Sequence, residues 1–180
     1  MKTINTQWVR LGVLLLGMGL HSAYADSCEN SNTSIDVSTP TEDFAINDNG
    51  TAIHRKTGLM WMRCPLGYEL SSEGDVCSLV DDDEFTWQQA LQIAETTEYG
   101  HYGDWRLPNR NELESIVELS CWEPSINTEV FPGTPDAAFW SSSPLQSDGA
   151  RAWRVNFING IVSDDNKSIA YPVRLVRDLN

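Results

Sequence analysis

The Asn-Gly pair at residues 49–50 is the feature that most tightly constrains how this chain can fold. It follows an alternating apolar stretch with Phe44 and Ile46, and the stretch 51–54 comes directly after it. Asn-Gly between such stretches is the strongest short-range signal for a two-residue β-hairpin turn. A second turn then leads into 59–62, so we predict a three-stranded antiparallel meander at this end of the chain.

The same signal recurs near the other end, where Asn159-Gly160 follows an alternating segment, 153–157. It predicts a second hairpin. We also predict a strand over 139–142 and a closing strand within 170–179, where apolar residues alternate with arginines.

Two helix starts separate these strand regions. Thr86 with Gln89 three residues later forms a capping-box pattern. Helical spacing then places four residues on one buried face: Trp87, Ala90, Leu91 and Ala94.

The second start lies in the sequence GDWRLPNRNEL, residues 103–113. Pro108 excludes a helix before it, Asn109 is a suitable N-cap, and Glu112 completes a capping box. Leu113 and the apolar residues after it would face the core. Strands, two helices and further strands together predict an α+β fold with helices packed on antiparallel sheet.

Residues 1–25 have the pattern of a secretory signal peptide. Lys2 and Arg10 are basic, 11–20 is a short apolar run, and Ala-Tyr-Ala at 23–25 fits a cleavage site. A membrane anchor would need about 20 apolar residues. We therefore expect export, to the periplasm or the exterior, with no membrane insertion after cleavage.

The rest of the chain divides into an arm and one domain. Residues 26–42 are rich in Ser, Thr, Asn and Asp and predict a flexible N-terminal arm, loose except where Cys28 tethers it. Residues 43–180 form the predicted domain, in which 65–84 is expected to be a polar loop.

An exported chain with an even number of cysteines favours disulfides. The four cysteines allow three pairings, of which we favour Cys64–Cys77, closing a short loop, and Cys28–Cys121, tying the arm to the end of the second helix. Zinc is the alternative, but the sequence has no Cys-x-x-Cys pair and no histidine near a cysteine at ligand spacing.

The charge restricts the ligands. The formal net charge is −14, and loss of Lys2 and Arg10 with the leader makes it −14 − 2 = −16. Such a surface repels nucleic acid and anionic lipid. Neutral glycans, cations and basic partner proteins remain open.

Several segments together resemble one bacterial family. They are GTAIHRKTGLMWMRCPLG, FTWQQAL, YGDWRLPNRNELESIVE, PSIN…VFPGTP…FWSSSP, AWRVNFING and VRLVR. Their set and order, over about residues 44–178, are similar to those of the Lcl C-terminal domain family, named for a collagen-like adhesin.

This resemblance implies an exported bacterial domain with a C-type-lectin-like fold, in the branch that includes formylglycine-generating enzymes. Arg106-Leu107-Pro108-Asn109 with Glu112 partly matches the helix start of those enzymes. The adhesin is associated with sulfated glycosaminoglycans through a basic surface. The present chain is strongly acidic and has no collagen-like repeat, so we do not extend that property to it.

Catalysis finds little support in the sequence. Formylglycine-generating enzymes use active-site cysteines, whereas the four cysteines here are better assigned to disulfides. His54 and His101 lack a partner readable from the sequence and are interpreted as ordinary surface or loop residues. We predict a non-enzyme, with a formylglycine-generating type of enzyme as an alternative.

Calcium is considered at Asp81, Asp82, Asp83 and Glu84, which offer hard oxygen ligands. The structural alternative is that carboxylates before a helix start interact favourably with its dipole. The sugar-bridging calcium motif of C-type lectins is not matched, because Glu123-Pro124-Ser125 lacks the coordinating amide. No cofactor is expected beyond this structural calcium.

Tryptophans are the candidates for contacting a sugar, since sugar sites commonly offer flat apolar faces with polar neighbours. Trp61, Trp87 and Trp153 have core-facing phases. Trp140 lies in an apolar strand beside three serines, and it is a weaker candidate than Trp122, which follows Cys121 in a loop.

Arg106 is a further candidate, for anion recognition, but a partly buried guanidinium must be paired. We favour an internal ion pair for Arg106 and expect the same for Arg174 and Arg177. The sequence thus predicts a non-catalytic recognition domain for a surface glycan or an envelope partner protein. The first alternative is an assembly accessory of a surface filament.

Overall fold

The computed structural model describes Cys28 and residues 30–179, so the predicted signal peptide lies outside the described residues. No helix in these described ranges is long and apolar enough to cross a bilayer. The elements, in chain order, are β1 Phe44–Ile46, β2 Thr51–His54, β3 Leu59–Met62, β4 Tyr68–Leu70, β5 Cys77–Leu79, α1 Trp87–Thr96, α2 Arg110–Glu114, β6 Ala138–Pro144, β7 Arg151–Asn156, β8 Ile161–Asn166 and β9 Val176–Asp178.

All strand pairs are antiparallel. The first sheet has the order β1-β2-β3-β9, the second has the order β6-β7-β8, and β4 pairs with β5. A hairpin forms at each Asn-Gly pair, between β1 and β2 and between β7 and β8. The connections are longer than the two residues predicted, because Ile46 pairs with Ala52 and Asn156 pairs with Ile161. Mostly antiparallel sheets with two helices confirm the predicted α+β class.

Both helices begin as the sequence predicts. Thr86 accepts a hydrogen bond from the Gln89 amide and the Gln89 side chain returns one, and Asn109 and Glu112 make the same reciprocal pair. The second helix is shorter than expected and ends at Glu114. The Ser115 hydroxyl donates to the Glu112 carbonyl at 2.6 Å, a local alternative to helix continuation.

Two buried clusters form the core. The first lies between the first sheet, α2 and β6-β7, around Trp61 and Phe131. The second lies under α1 and contains Trp105 and Trp140. Burial of such aromatic side chains removes large apolar areas from water and dominates the stability of the core.

Of the three tryptophans predicted to be core, Trp61 is fully buried. Trp87 and Trp153 are half-buried instead, and each ring is covered by a cation. The Lys167 ammonium lies 4.0 Å from the Trp87 ring centroid, and the Arg110 guanidinium lies 4.6 Å from that of Trp153.

Both favoured disulfides are present, Cys28–Cys121 and Cys64–Cys77. The arm, however, is not held by Cys28 alone. Glu118, a fully buried carboxylate, accepts hydrogen bonds from the backbone amides of Ser38, Thr39 and Ser120 and from their hydroxyls. The prediction of an arm that is loose beyond its disulfide therefore needs correction over residues 30–42.

Two other predictions are wrong. The region 65–84 is not only loop, because it contains the β4-β5 hairpin. His54 is not a surface residue, since its ring is buried and stacks on Phe44 with centroids 4.6 Å apart. Burial lowers the pKa of His54, against an opposing effect of Asp43.

Candidate functional site

The loop between the two helices folds back on itself in a tight turn. The Tyr99 amide donates to the Tyr102 carbonyl at 2.9 Å, and the Tyr102 amide donates to the Tyr99 carbonyl at 3.0 Å. The two residues between them have left-handed backbones, with φ of 59° at Gly100 and 71° at His101. Glycine adopts this conformation freely, whereas it is uncommon for histidine.

Four side-chain hydrogen bonds tie this turn to its surroundings. The Trp105 indole N–H donates to the carbonyls of both Tyr99 and Tyr102, each at 3.1 Å. Asn49 Nδ2 donates to the Gly100 carbonyl at 2.8 Å. The Tyr99 hydroxyl donates to the Gly50 carbonyl at 3.2 Å, and a Cβ at Gly50 would overlap that hydroxyl. The loop is thus fixed to the first hairpin before any ligand arrives.

This loop borders a cleft of about 700 Å³, lined by Asn49 and residues 98–103. We call it the tyrosine cleft. Its lining includes Tyr99 and Tyr102 together with Glu98 and His101, and the last two residues are exposed. Aromatic rings beside a few polar groups are typical of small-ligand sites.

The rings of the tyrosine cleft are positioned by their neighbours. Tyr99 and Tyr102 both pack edge-on against Trp105. The Arg177 guanidinium lies 4.1 Å from the Tyr102 ring centroid and is fixed by Asp104 at 2.6 and 2.9 Å. This ion pair lowers the pKa of Asp104, and burial raises the pKa of Tyr99 despite the nearby Arg174 and Arg63. The Tyr99 hydroxyl therefore stays neutral at pH 7.

Arg106, a predicted candidate for anion binding, is engaged within the protein. Its guanidinium donates to both oxygens of Glu112 at 2.7 and 2.9 Å and to Asp178 at 3.1 and 3.2 Å. Its backbone forms a β-bridge with Val176. The favoured interpretation, an internal ion pair that clamps the second helix start to β9, is confirmed for this residue.

The other two arginines differ from each other. Arg177 has its expected ion pair, with Asp104. Arg174 is fully buried with no carboxylate partner in the described part of the chain, so the ion pair expected there is wrong. Its guanidinium instead donates to the carbonyls of Met62 and Arg63 and, at 2.7 Å, to the Thr134 hydroxyl.

The two tryptophan candidates have opposite environments. Trp140 is 0 % exposed, and its indole N–H donates to the Phe85 carbonyl at 3.0 Å, so it is withdrawn as a ligand contact. Trp122 is 43 % exposed. The next residue, Glu123, lines a second cleft of about 430 Å³ together with Asp75 and residues 132–136. Trp122 thus remains a candidate beside an acidic cleft.

The carboxylates proposed for calcium do not converge. Asp83 accepts a hydrogen bond from the Tyr68 hydroxyl at 3.0 Å, and Asp81 accepts one from the Asp82 amide at 2.8 Å. Over residues 28 and 30–179 no three acidic, histidine or cysteine side chains form a metal-binding group. Calcium at Asp81, Asp82, Asp83 and Glu84 therefore stays a prediction without geometric support.

The tyrosine cleft was missed by sequence reasoning. The sequence predicts only an ordinary surface or loop residue at His101, which leaves YGHYG, residues 99–103, without a role. The signal in the sequence is the pair Tyr99 and Tyr102 on either side of Gly-His. With this spacing the chain can form a two-residue turn that has both rings beside it.

Comparison with known families supports the resemblance seen in the sequence. Residues 50–177 match the model of the Lcl C-terminal domain, which covers more than half of the chain and includes both helices and residues 98–103 of the tyrosine cleft. No curated protein matches the chain. The relation to C-type lectins stays a prediction. The chain belongs to the Lcl C-terminal domain family.

Proposed function

We propose that this chain is a non-catalytic recognition domain that binds a neutral glycan in the tyrosine cleft. The observation that carries the proposal is the rigid turn of residues 99–102, held by Trp105 and Asn49, with two tyrosine rings beside it. Because the loop is already ordered, the free energy of ligand binding is not reduced by the entropy cost of ordering it.

The chemistry of the cleft suits a sugar. A pyranose presents apolar C–H faces that pack on aromatic rings and hydroxyl groups that both donate and accept hydrogen bonds. Exposed Glu98 can accept from hydroxyls, and exposed His101 can donate to or accept from them. The Asn49 amide and the Tyr99 hydroxyl are engaged with the backbone and shape the cleft rather than bind.

Charge narrows the class of glycan. The carboxylate of Glu98, a lining residue, and the formal net charge of −14 both disfavour the binding of sulfated or otherwise anionic glycans. Among the described residues, Arg177 is the one cation that contacts a ring of the cleft, and it is already paired with Asp104.

A binding role is also supported by the state of the cysteines. All four are in disulfides, so no described thiol is free for the cysteine chemistry of formylglycine-generating enzymes. No described side-chain hydrogen bond joins His101 to a serine or carboxylate that would activate a nucleophile.

The test is a glycan array probed with the exported chain, with neutral and sulfated glycans and with and without EDTA. We expect binding to neutral glycans that EDTA does not change. Binding restricted to sulfated glycans would contradict the proposal, and loss with EDTA would establish a calcium-dependent site instead. A silent array, with envelope proteins co-purifying, would favour the assembly role.

A further inference from the structure

His54 is a buried titratable residue outside the tyrosine cleft. It is the last residue of β2, and it pairs with Phe44 in β1 and with Leu59 in β3. Paired residues lie on the same face of a sheet, and both partners belong to the first buried cluster. The His54 side chain therefore points into the core, and the residue is only 3 % exposed.

The His54 ring has contacts that suit a neutral imidazole. It stacks on the Phe44 ring with centroids 4.6 Å apart, and Phe44 packs edge-on against Phe131 at 5.4 Å. Nδ1 lies 3.1 Å from the Thr57 hydroxyl, whereas Nε2 is buried with no hydrogen-bond partner among the described residues. Both nitrogens of an imidazolium carry a proton, so protonation would leave a charged N–H in the core without an acceptor.

The charged side chains of the first hairpin do not compensate such a cation. Asp43, just before β1, and Lys56, in the turn after β2, form an ion pair at 2.5 Å. Burial has the largest effect on the pKa of His54 and lowers it from 6.5, while Asp43 opposes this effect and Lys56 adds to it. Arg55, the next residue, is exposed and adds a further positive charge.

The carboxylates on the other neighbouring elements are engaged elsewhere. Asp178, in β9 on the far side of β3, forms an ion pair with Arg106. Glu129, on the segment beside β1, accepts a hydrogen bond from the Thr41 hydroxyl at 2.6 Å. No described carboxylate forms an ion pair with His54. A proton taken up by His54 is therefore uncompensated while the ring stays buried.

β1 is the element that covers the His54 ring and can separate from it most easily. It has three residues, lies at the edge of the first sheet, and pairs with β2 alone among the described strands. Phe44 is its anchor in the core, whereas Ala45 and Ile46 are more exposed. A short edge strand with one anchor separates at a smaller free-energy cost than unfolding of the whole domain. Its separation would bring the His54 ring into water.

We infer that His54 is an acid-sensitive switch whose protonation releases β1 from the first sheet. Above about pH 6.5 the ring is neutral, and Phe44 stays stacked on it. As the pH falls below about 6.5, the open form takes up a proton more readily than the closed form, because only the open form hydrates the imidazolium. The free-energy cost of opening is therefore complete above this pH and decreases below it. The switch does not depend on the proposed glycan binding.

The test is amide hydrogen exchange of the exported chain, followed by NMR at about pH 7 and about pH 5.5 and corrected for the intrinsic exchange rate at each pH. The reporter is the Arg55 amide, which donates to the Asp43 carbonyl at 2.8 Å and thereby joins the two strands. His54→Phe and His54→Gln replace the imidazole with side chains that do not titrate. The matched control, His101→Gln, removes an exposed histidine.

We expect the protection of the Arg55 amide in wild type to fall about fivefold between the two pH values, since one proton changes the opening equilibrium by at most about tenfold per pH unit. His101→Gln should show the same fall, and both His54 variants should change less than about twofold. Constant protection in wild type, or an equal fall in His54→Gln, would overturn the inference.

A second measurement separates the release of β1 from unfolding of the whole domain. A local opening exposes little surface, so Arg55 protection in acid should change little up to about 1 M urea. The Met62 amide, which donates to the Leu175 carbonyl at 3.1 Å in the core, should lose protection over the same range. Equal urea dependence of the two amides would show that Arg55 exchanges only on global unfolding, and would rule out a separate switch.

Discussion

The Trp105 indole N–H is shared between the carbonyls of Tyr99 and Tyr102, at 3.1 Å from each. One buried donor thereby closes both sides of the turn that borders the tyrosine cleft. The same segment continues into Arg106, whose ion pairs with Glu112 and Asp178 hold the next helix start. Trp105 thus shapes the tyrosine cleft without lining it, while Arg106 fixes the helix start that follows.

Replacing Trp105 with phenylalanine should therefore loosen the turn. Phenylalanine keeps only the six-membered ring of the buried indole, so the change leaves a small void in the core. In addition, both carbonyls lose their donor, and each unmet hydrogen bond costs about 1 kcal/mol or more. We expect urea denaturation to show a free energy of unfolding lower by about 2 kcal/mol. Trp122→Phe, at an exposed position, is the control and should stay within about 0.5 kcal/mol of wild type. Equal losses in the two variants would contradict a specific role for the Trp105 N–H.

His101 has a backbone conformation that glycine adopts without strain. Left-handed backbone in a residue with a Cβ costs on the order of 1 kcal/mol, partly offset by the greater chain entropy of glycine when unfolded. We expect His101→Gly to unfold at the same or a slightly higher denaturant concentration than wild type. His101→Ala keeps the Cβ and should not gain stability. A clear destabilisation by His101→Gly would show that the imidazole supports the fold.

Arg106→Ala should lower stability, because Glu112 and Asp178 lose a shared partner. Hydrogen bonds to charged groups contribute about 1.5–3 kcal/mol, and solvent screening at this half-exposed site reduces the expected loss to about 1–2 kcal/mol. Arg106→Lys should recover little, because an ammonium cannot bind both Glu112 oxygens as a fork. Lys56→Ala breaks a more exposed pair with Asp43 and should cost less than about 0.5 kcal/mol. Wild-type melting of Arg106→Ala would refute the clamp.

Because of Glu118, we expect the free energy of unfolding to decrease in acid. Burial raises the pKa of its carboxyl, but hydrogen bonds from Ser38, Ser120 and Thr39 outweigh burial and lower the pKa from 4.5 to about 2. A lowered folded-state pKa stabilises the fold above pH 4.5, and this contribution disappears as the pH falls from 4.5 to about 2.

The comparison that isolates this effect is Glu118→Gln, whose amide cannot accept from all the same donors. We expect it to be less stable than wild type by about 2–3 kcal/mol at pH 7, with the difference shrinking toward pH 2. Glu95→Gln, at an exposed helix position, should show no such trend. A difference that is constant over this pH range would exclude Glu118 as the titrating group.

Sequence reasoning was most successful where the determinants are local. Both helix starts were predicted because a cap and its partner lie three residues apart, as Asn109 and Glu112 do. The environment of Arg174 was not predicted, since its acceptors Met62 and Thr134 are 112 and 40 residues away. The tyrosine cleft was not predicted for the same reason, because Asn49 and its acceptor, the Gly100 carbonyl, are 51 positions apart in the sequence. Only the folded chain brings such partners together.

The most direct test of glycan recognition is a calorimetric titration of the strongest neutral glycan from the array. Wild type is compared with His101→Gly and Glu98→Ala in the tyrosine cleft, and with Trp122→Ala at the competing acidic cleft. We predict that the two tyrosine-cleft variants bind about tenfold more weakly or worse, as expected for one lost hydrogen bond, while Trp122→Ala changes affinity less than about twofold. Full affinity in both tyrosine-cleft variants, with binding lost in Trp122→Ala, would contradict the assignment and place the glycan beside Glu123.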